Sequence, residues 1–330
     1  WATEKYGFLA YLHSMDSYYS FILPVDEAFA RYLDPVSVAK GEPEYWNFKY
    51  NDEHKSIEVI VTDESGKEKD PLKAWVNSGQ ALMIQNRLED LIDQHIIVDN
   101  FDSSENGKYY YQTKGKGTVK VIPNAGDGLN IYGGYQLEQG TPVSVPKAKI
   151  SPAGNGKSYI VSSLTQTPMK SVYSAMGEQA AKEEQPFYQF YQLMQESSTF
   201  VKDDAYAMSD DYTVDVFNTY HYTIYVPSNE AIKSAIEQGL PTIAQAEAFL
   251  RDNNLSESQE KEFLDSIRSI LHDFVCYHIH DNSVYIGGTE VKDVEYQTGT
   301  MNMEERVFRR VRVSADQSSL TVVDGAGRSH

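Results

Sequence analysis

The chain has a single cysteine, Cys276, among 330 residues, so no intrachain disulfide can form. Cys276 lies in Phe274-Val275-Cys276-Tyr277, an apolar context that suits a buried inert thiol better than a nucleophile. Basic residues are scarce, 29 Lys+Arg against 48 Asp+Glu, a net charge of −19. That balance excludes a nucleic-acid binder, which needs clustered Lys and Arg, and disfavours docking on anionic membranes. No apolar run approaches the ~18 residues of a membrane-spanning helix, and residues 1–4 carry no signal-peptide pattern. Catalytic signatures are missing as well. There is no Gly-x-Ser-x-Gly elbow, no His-Glu-x-x-His and no phosphate-cradling loop. Gly154-Asn155-Gly156-Lys157-Ser158 resembles such a loop only superficially, because it leads into a strand. No enzyme, cofactor or metal is expected.

What is present is an apolar content of 41% with 12% aromatics, enough to build cores, and an internal repeat. Residues 19–29, Tyr-Ser-Phe-Ile-Leu-Pro-Val-Asp-Glu-Ala-Phe, match residues 222–232, Tyr-Thr-Ile-Tyr-Val-Pro-Ser-Asn-Glu-Ala-Ile, at a constant offset of 203. Each copy reads as a short strand stopped by Pro24 or Pro227. A helix follows, capped by Asp26 in one copy and by Ser228 or Asn229 in the other, with Glu27 or Glu230 in its first turn. A second match, at offset 183, pairs Ile84, Leu88, Leu91, Ile92 and His95 with Ile267, Leu271, Phe274, Val275 and His278. This is one face of an amphipathic helix, written twice. Thr242 to Gln245 and Ser256 to Gln259 fit capping boxes. The long helices are expected to end near Asp99-Asn100 and Asp281-Asn282.

From Pro24 to His95 the first copy is longer than the second, and the surplus is placed at 45–70. There the alternation of Ile57, Val59 and Val61 and the turn at Glu64-Ser65-Gly66-Lys67 predict an inserted surface hairpin. After each long helix the period turns to two. Strands are expected at Tyr109–Tyr111, Thr118–Ile122, Leu129–Tyr132, Val143–Val145 and Ser158–Val161 in the first copy. In the second they are expected at Glu295–Thr298, Arg306–Val313 and Leu320–Val323. A polar stretch at 178–185 marks the boundary, giving domains at 1–180 and 186–330. Thr3–Leu12 and Pro186–Met194 would open the two copies. A helix-like stretch at 167–176 follows the first copy's closing strand, which the second copy lacks, the pattern of a fragment shortened there.

A strand, Pro-x-Asn/Asp-Glu-Ala, a long helix ending in Tyr-His and a β-rich half together resemble the fasciclin domain, in two tandem copies spanning nearly the whole chain. The carriers are Tyr222–Ile232 and Leu271–His278. Tyr277-His278 keeps the Tyr-His pair, which is Gln94-His95 in the first copy; Ser228 keeps the residue after the proline, and Val25 departs from it. The resemblance implies an α+β fold, each domain a wedge-like β-sheet core with packed helices. It also implies a non-enzymatic adhesion role outside the cytoplasm, with a cell-surface or matrix protein or a polysaccharide as partner. The likeness to bacterial surface lipoproteins places an anchoring cysteine upstream. The alternative is a glycan-binding or glycan-processing accessory protein at the bacterial surface.

The candidate site residues are Pro24, Asp26, Glu27, His95, Pro227, Asn229, Glu230, Tyr277 and His278. By resemblance His95 and His278 belong to an adhesion motif. By position they are core histidines tying a helix end to a strand, the reading the spacing favours. His272, His278 and His280 offer imidazoles for zinc, with no third ligand fixed by spacing. Asp203-Asp204 and Asp210-Asp211, around Tyr206 and Met208, are more simply a solvated loop than a calcium site. Residues 124–130 read as a hairpin turn. Of the 24 tyrosines, Tyr109, Tyr110, Tyr111, Tyr132 and Tyr135 are densest and could stack on sugars or anchor a protein, against edge-strand packing as the plainer role.

Overall fold

The computed structural model describes residue 13 and residues 18–101, 109–197, 200–202, 212–214 and 221–330. The opening helix expected at 3–12 and the acidic pairs at 203–211 lie outside the described residues. The chain forms two compact units, Trp1–Met169 with Gly287–Thr289, and Lys170–Ile286 with Glu290–His330. The architecture is α+β.

In the first unit β1 (Tyr19–Pro24) leads into a 3-10 turn (Asp26–Arg31), β2 (Tyr32–Leu33), α1 (Pro35–Ala39), β3 (Glu44–Asn51), β4 (Ser56–Asp63) and β5 (Leu72–Lys73). The long helix α2 (Ser78–Gln94) follows, then β6 (Ile96–Ile97), β7 (Tyr110–Gln112), β8 (Thr118–Pro123), β9 (Leu129–Tyr132), α3 (Gly134–Gln139), β10 (Val143–Val145), β11 (Ile150–Ala153) and β12 (Gly156–Val161). In the second unit come α4 (Val172–Ala180), α5 (Tyr188–Glu196), β13 (Phe200–Lys202), β14 (Tyr212–Val214), β15 (Tyr222–Ile224), α6 (Asn229–Glu237), α7 (Ile243–Asp252), α8 (Glu257–Tyr277), β16 (Ile279–Asp281), β17 (Val291–Asn302), β18 (Val307–Ala315) and β19 (Leu320–Val323).

Three four-stranded sheets build the first unit, in the orders β11-β12-β1-β6, β10-β9-β8-β7 and β2-β3-β4-β5. The β1–β12 pair is parallel, from Tyr19 opposite Gly156 to Pro24 opposite Val161. Gly156 is required there: a Cβ would meet the Tyr19 carbonyl oxygen at 2.1 Å. The predicted strands of this copy all form. β11 has no alternating signal and contains Pro152, which an edge strand tolerates. Asn124 sets the β8–β9 turn by accepting from the Gly126 and Gly128 N–H groups at 2.9 and 3.0 Å.

The 45–70 insertion is a hairpin, but not a surface one. Trp46, Phe48 and Tyr50 pair with Val61, Val59 and Ile57 across β3–β4. Trp46, Phe48, Ile57, Val59 and Val61 pack with Ile84, Leu88 and Leu91 of α2 in one core, Val59 with no exposure, while Tyr50 near the turn is exposed. The same alternation that makes the strand supplies an apolar face that must be buried. A second core joins Ile22, Ile97, Phe101, Tyr111, Tyr159 and the valines of β8 and β10.

The second unit carries one five-stranded antiparallel sheet, β15-β16-β17-β18-β19, and the pair β13-β14. Its core gathers Phe190, Leu193, Met194, Ile232, Leu271, Val275 and Ile279. The units divide at Met169/Lys170 rather than within 178–185. The helix expected at 167–176 is α4, capped by the Ser171 hydroxyl, and its Val172 and Met176 pack on the second unit's core. Both long helices stop earlier than their expected Asp-Asn ends. His95 and His278 are the C-caps, and short strands continue at once. Both capping boxes appear: Thr242 and Gln245 exchange bonds of 3.1 Å, and the Ser256 N–H donates to Gln259 Oε1 at 3.0 Å.

Candidate functional site

The site is the corner where a repeated strand meets the end of a long helix. In the second unit Ser228 caps α6, its hydroxyl accepting from the Ala231 N–H at 3.3 Å. In the first unit Asp26 does not cap. Val25 occupies the cap position, has no side-chain oxygen, and the segment closes into a six-residue 3-10 turn instead of the nine-residue α6. Asp26 and Glu27 are exposed. Glu230 is also exposed, and bonds from its own N–H and from Ser228 hold its carboxyl below the usual range. Asn229 is a cross-link rather than a contact surface. Its Oδ1 accepts from the Gln189 N–H at 2.9 Å and its Nδ2 donates to the Gln185 carbonyl at 2.8 Å. Pro24 ends β1, and Pro227 lies at the lip of a cavity.

The two histidines begin alike. His95 Nδ1 lies 2.6 Å from the Leu91 carbonyl, and His278 Nδ1 lies 2.8 Å from the Phe274 carbonyl, so each donates four residues back along its helix. The Ile22 N–H donates to the His95 carbonyl and the Tyr225 N–H to the His278 carbonyl, both at 2.9 Å. These pairs stand at the repeat's two offsets.

They end differently. His95 Nε2 accepts from the Thr165 N–H and approaches the Thr165 hydroxyl, both at 3.1 Å. Burial pushes its pKa down to about 4, a neutral imidazole at physiological pH. His278 is half-buried, with its ring 4.7 Å from Phe274 and 5.4 Å from Phe190. Burial lowers its pKa, and His330 adds to that. Its Nε2 has no donor among the described residues, and the ring lines a cavity of about 710 Å3. Tyr277 lines it too, its hydroxyl accepting from the Gly325 N–H at 2.8 Å. Gln94, the first copy's counterpart of Tyr277, is buried.

The sequence offered His280 only as a metal candidate and missed its partners Tyr225 and Tyr296. His280 is fully buried, with Nε2 2.8 Å from the Tyr225 hydroxyl and its ring stacked on Tyr296 at 4.7 Å. Its place in a short strand after His278 was the available signal. With His272 against Cys276 Sγ at 3.3 Å, the three histidines have separate partners. Among the described residues no group of three His, Cys, Asp or Glu is placed to hold a metal. The Cys276 thiol is buried, and burial followed by Asp273 pushes it up to about 12, far from a thiolate at neutral pH.

The tyrosine cluster does not form one platform. Tyr111 is 4% exposed and packs on Phe101 in the core, because strand alternation turns it opposite to Tyr110. Tyr109, Tyr110, Tyr132 and Tyr135 are half-buried, and Lys120 sits 5.5 Å from the Tyr110 ring centre.

No helix among the described residues is long and apolar enough to cross a membrane. No model of a known protein family matches the chain, and no curated protein does. Among solved structures, a FAS1 domain pair from the insect cell adhesion molecule fasciclin I is similar at 13% identity and a TM-score of 0.31, covering 99% of this chain and 86% of that one.

Proposed function

We propose that this chain is a non-enzymatic adhesion or binding protein of two tandem fasciclin-like domains, acting outside the cytoplasm on a cell-surface or matrix protein or a polysaccharide. One observation carries the reading. The strand–proline–helix corner and the histidine-ended helix recur in both units with equivalent hydrogen bonds, which supports a duplicated fasciclin-like domain. The corner's chemistry suits recognition: its imidazoles are neutral and capped, and its lone thiol is protonated.

Binding of the immobilised chain to a panel of polysaccharides and surface proteins tests this. Saturable binding to a member of either class, with no bond cleaved, is the expected result. Release of reducing sugar from any polysaccharide would make the chain a hydrolase and overturn the reading.

A further inference from the structure

The sheet β10-β9-β8-β7 of the first unit has two unlike faces. Strand alternation sends Tyr111, Val119, Val121, Leu129, Ile131 and Val143 into the core. The opposite face is laid out by the pairing register. Tyr110 stands opposite Lys120, and Lys120 opposite Tyr132, so three strands give one side chain each to a single half-buried row. Beside it run Ile122, Asn130 and Ser144, the Ser144 hydroxyl donating to Asn130 Oδ1 at 2.8 Å. Gln112 and Thr118 pair on the other side of the row. The charge of this sheet departs from that of the chain. Its four strands contain no Asp or Glu, although the chain carries 48. Lys120 is their one cation. It forms no ion pair among the described residues, and its ammonium lies 5.5 Å from the Tyr110 ring centre. Paired strands lie about 4.8 Å apart, which sets the Tyr110 and Tyr132 backbones about 10 Å from each other with Lys120 midway. That separation matches the advance of a disaccharide along an extended pyranose chain.

We propose that this face binds an extended acidic polysaccharide, stacking alternate sugars on Tyr110 and Tyr132 and pairing a uronic-acid carboxylate of the sugar between them with Lys120. This rests on the binding-protein reading and chooses among its partner classes. The rings offer flat apolar surface to the C–H faces of the sugars. Gln112, Asn130 and Ser144 add amide and hydroxyl groups for the sugar hydroxyls. The absence of carboxylates leaves nothing on these strands to repel an anionic chain. A protein partner fits the face less well, because Ile122 is its one aliphatic side chain and a protein interface is built around an apolar centre. A nucleic acid needs cations along its whole backbone, and this face has one.

The probes are cellohexaose and the same hexasaccharide oxidised at C6 to its uronate, titrated against the full chain by calorimetry. The uronate should bind saturably at one site per chain, about tenfold more tightly than the neutral sugar, the worth of one hydrogen bond between charged groups. K120Q should erase that preference and leave the neutral sugar's affinity unchanged. Y110L or Y132L keeps apolar bulk on the strand but removes the ring, and should weaken both probes about fivefold, whereas Y110F and Y132F should retain them. No saturable binding, equal affinity for the two probes, a preference that survives K120Q, or indifference to both leucine variants overturns the proposal. So does a surface protein whose binding is lost on the same substitutions, which would make a protein the occupant. Failure here leaves the broader binding reading standing, because that reading falls on reducing-sugar release, a separate assay.

Discussion

His95 and His278 make the same first hydrogen bond and differ in the second, and their substitution should differ accordingly. His95→Ala leaves the Leu91 carbonyl and the Thr165 N–H unpaired in a buried site, at about 1–3 kcal/mol each. His278→Ala orphans only the Phe274 carbonyl, and about 1 kcal/mol is expected. The two described tryptophans, Trp46 and Trp75, lie in the first unit and none of the described residues of the second is a tryptophan, so urea melts followed by tryptophan fluorescence report the His95 effect. Equal losses for the two variants by circular dichroism would contradict the geometry. The same ring makes a pH prediction. Its folded pKa of about 4 lies below the ordinary value near 6.5, so the unfolded chain binds the extra proton. The contribution is whole above pH 6.5 and fades as the pH falls towards 4, by about 3 kcal/mol. His95→Gln should flatten that part of the stability profile for the first unit. An unchanged slope would show that the ring is not buried neutral.

At the scale of elements, the parallel pair β1–β12 depends on a single missing side chain. Gly156→Ala drives a Cβ into the Tyr19 carbonyl, with no flexible group to yield. The first unit should lose about 2–4 kcal/mol, a large effect for one methyl group; a loss under 0.5 kcal/mol in the tryptophan melt would mean that β12 is not seated there. Much of this level was legible in the sequence. The repeat gave both corners, the helical faces gave α2 and α8, and the period-two runs gave β7 to β10 and β12. Other features left no local trace. The buried amide of Gln166 pairs with both backbone groups of Leu33, donating to its carbonyl at 2.9 Å and accepting from its N–H at 3.3 Å. A glutamine in a loop carries no sign that it will complete a strand 133 residues away. Two-residue strands such as β2, β5 and β6 are likewise set by tertiary pairing, which no window of sequence contains. Asp26 misled because its residue type favours a cap, while the backbone put Val25 in that position.

Across the whole molecule, the candidate site was half visible. The sequence singled out His278 and Tyr277 but favoured a core role for both histidines, and His95 alone has a fully enclosed ring. What encloses His95 is the segment that follows β12, whose Thr165 N–H donates to its Nε2, a contact no motif announces. The adhesion reading draws on the corner that both units share.

Long-range proton–nitrogen NMR of the two imidazoles in the labelled full chain tests it most directly. Both should appear as neutral Nδ1–H tautomers near pH 7.5, each donating to the carbonyl four residues back. An Nε2–H tautomer at either histidine would contradict the account.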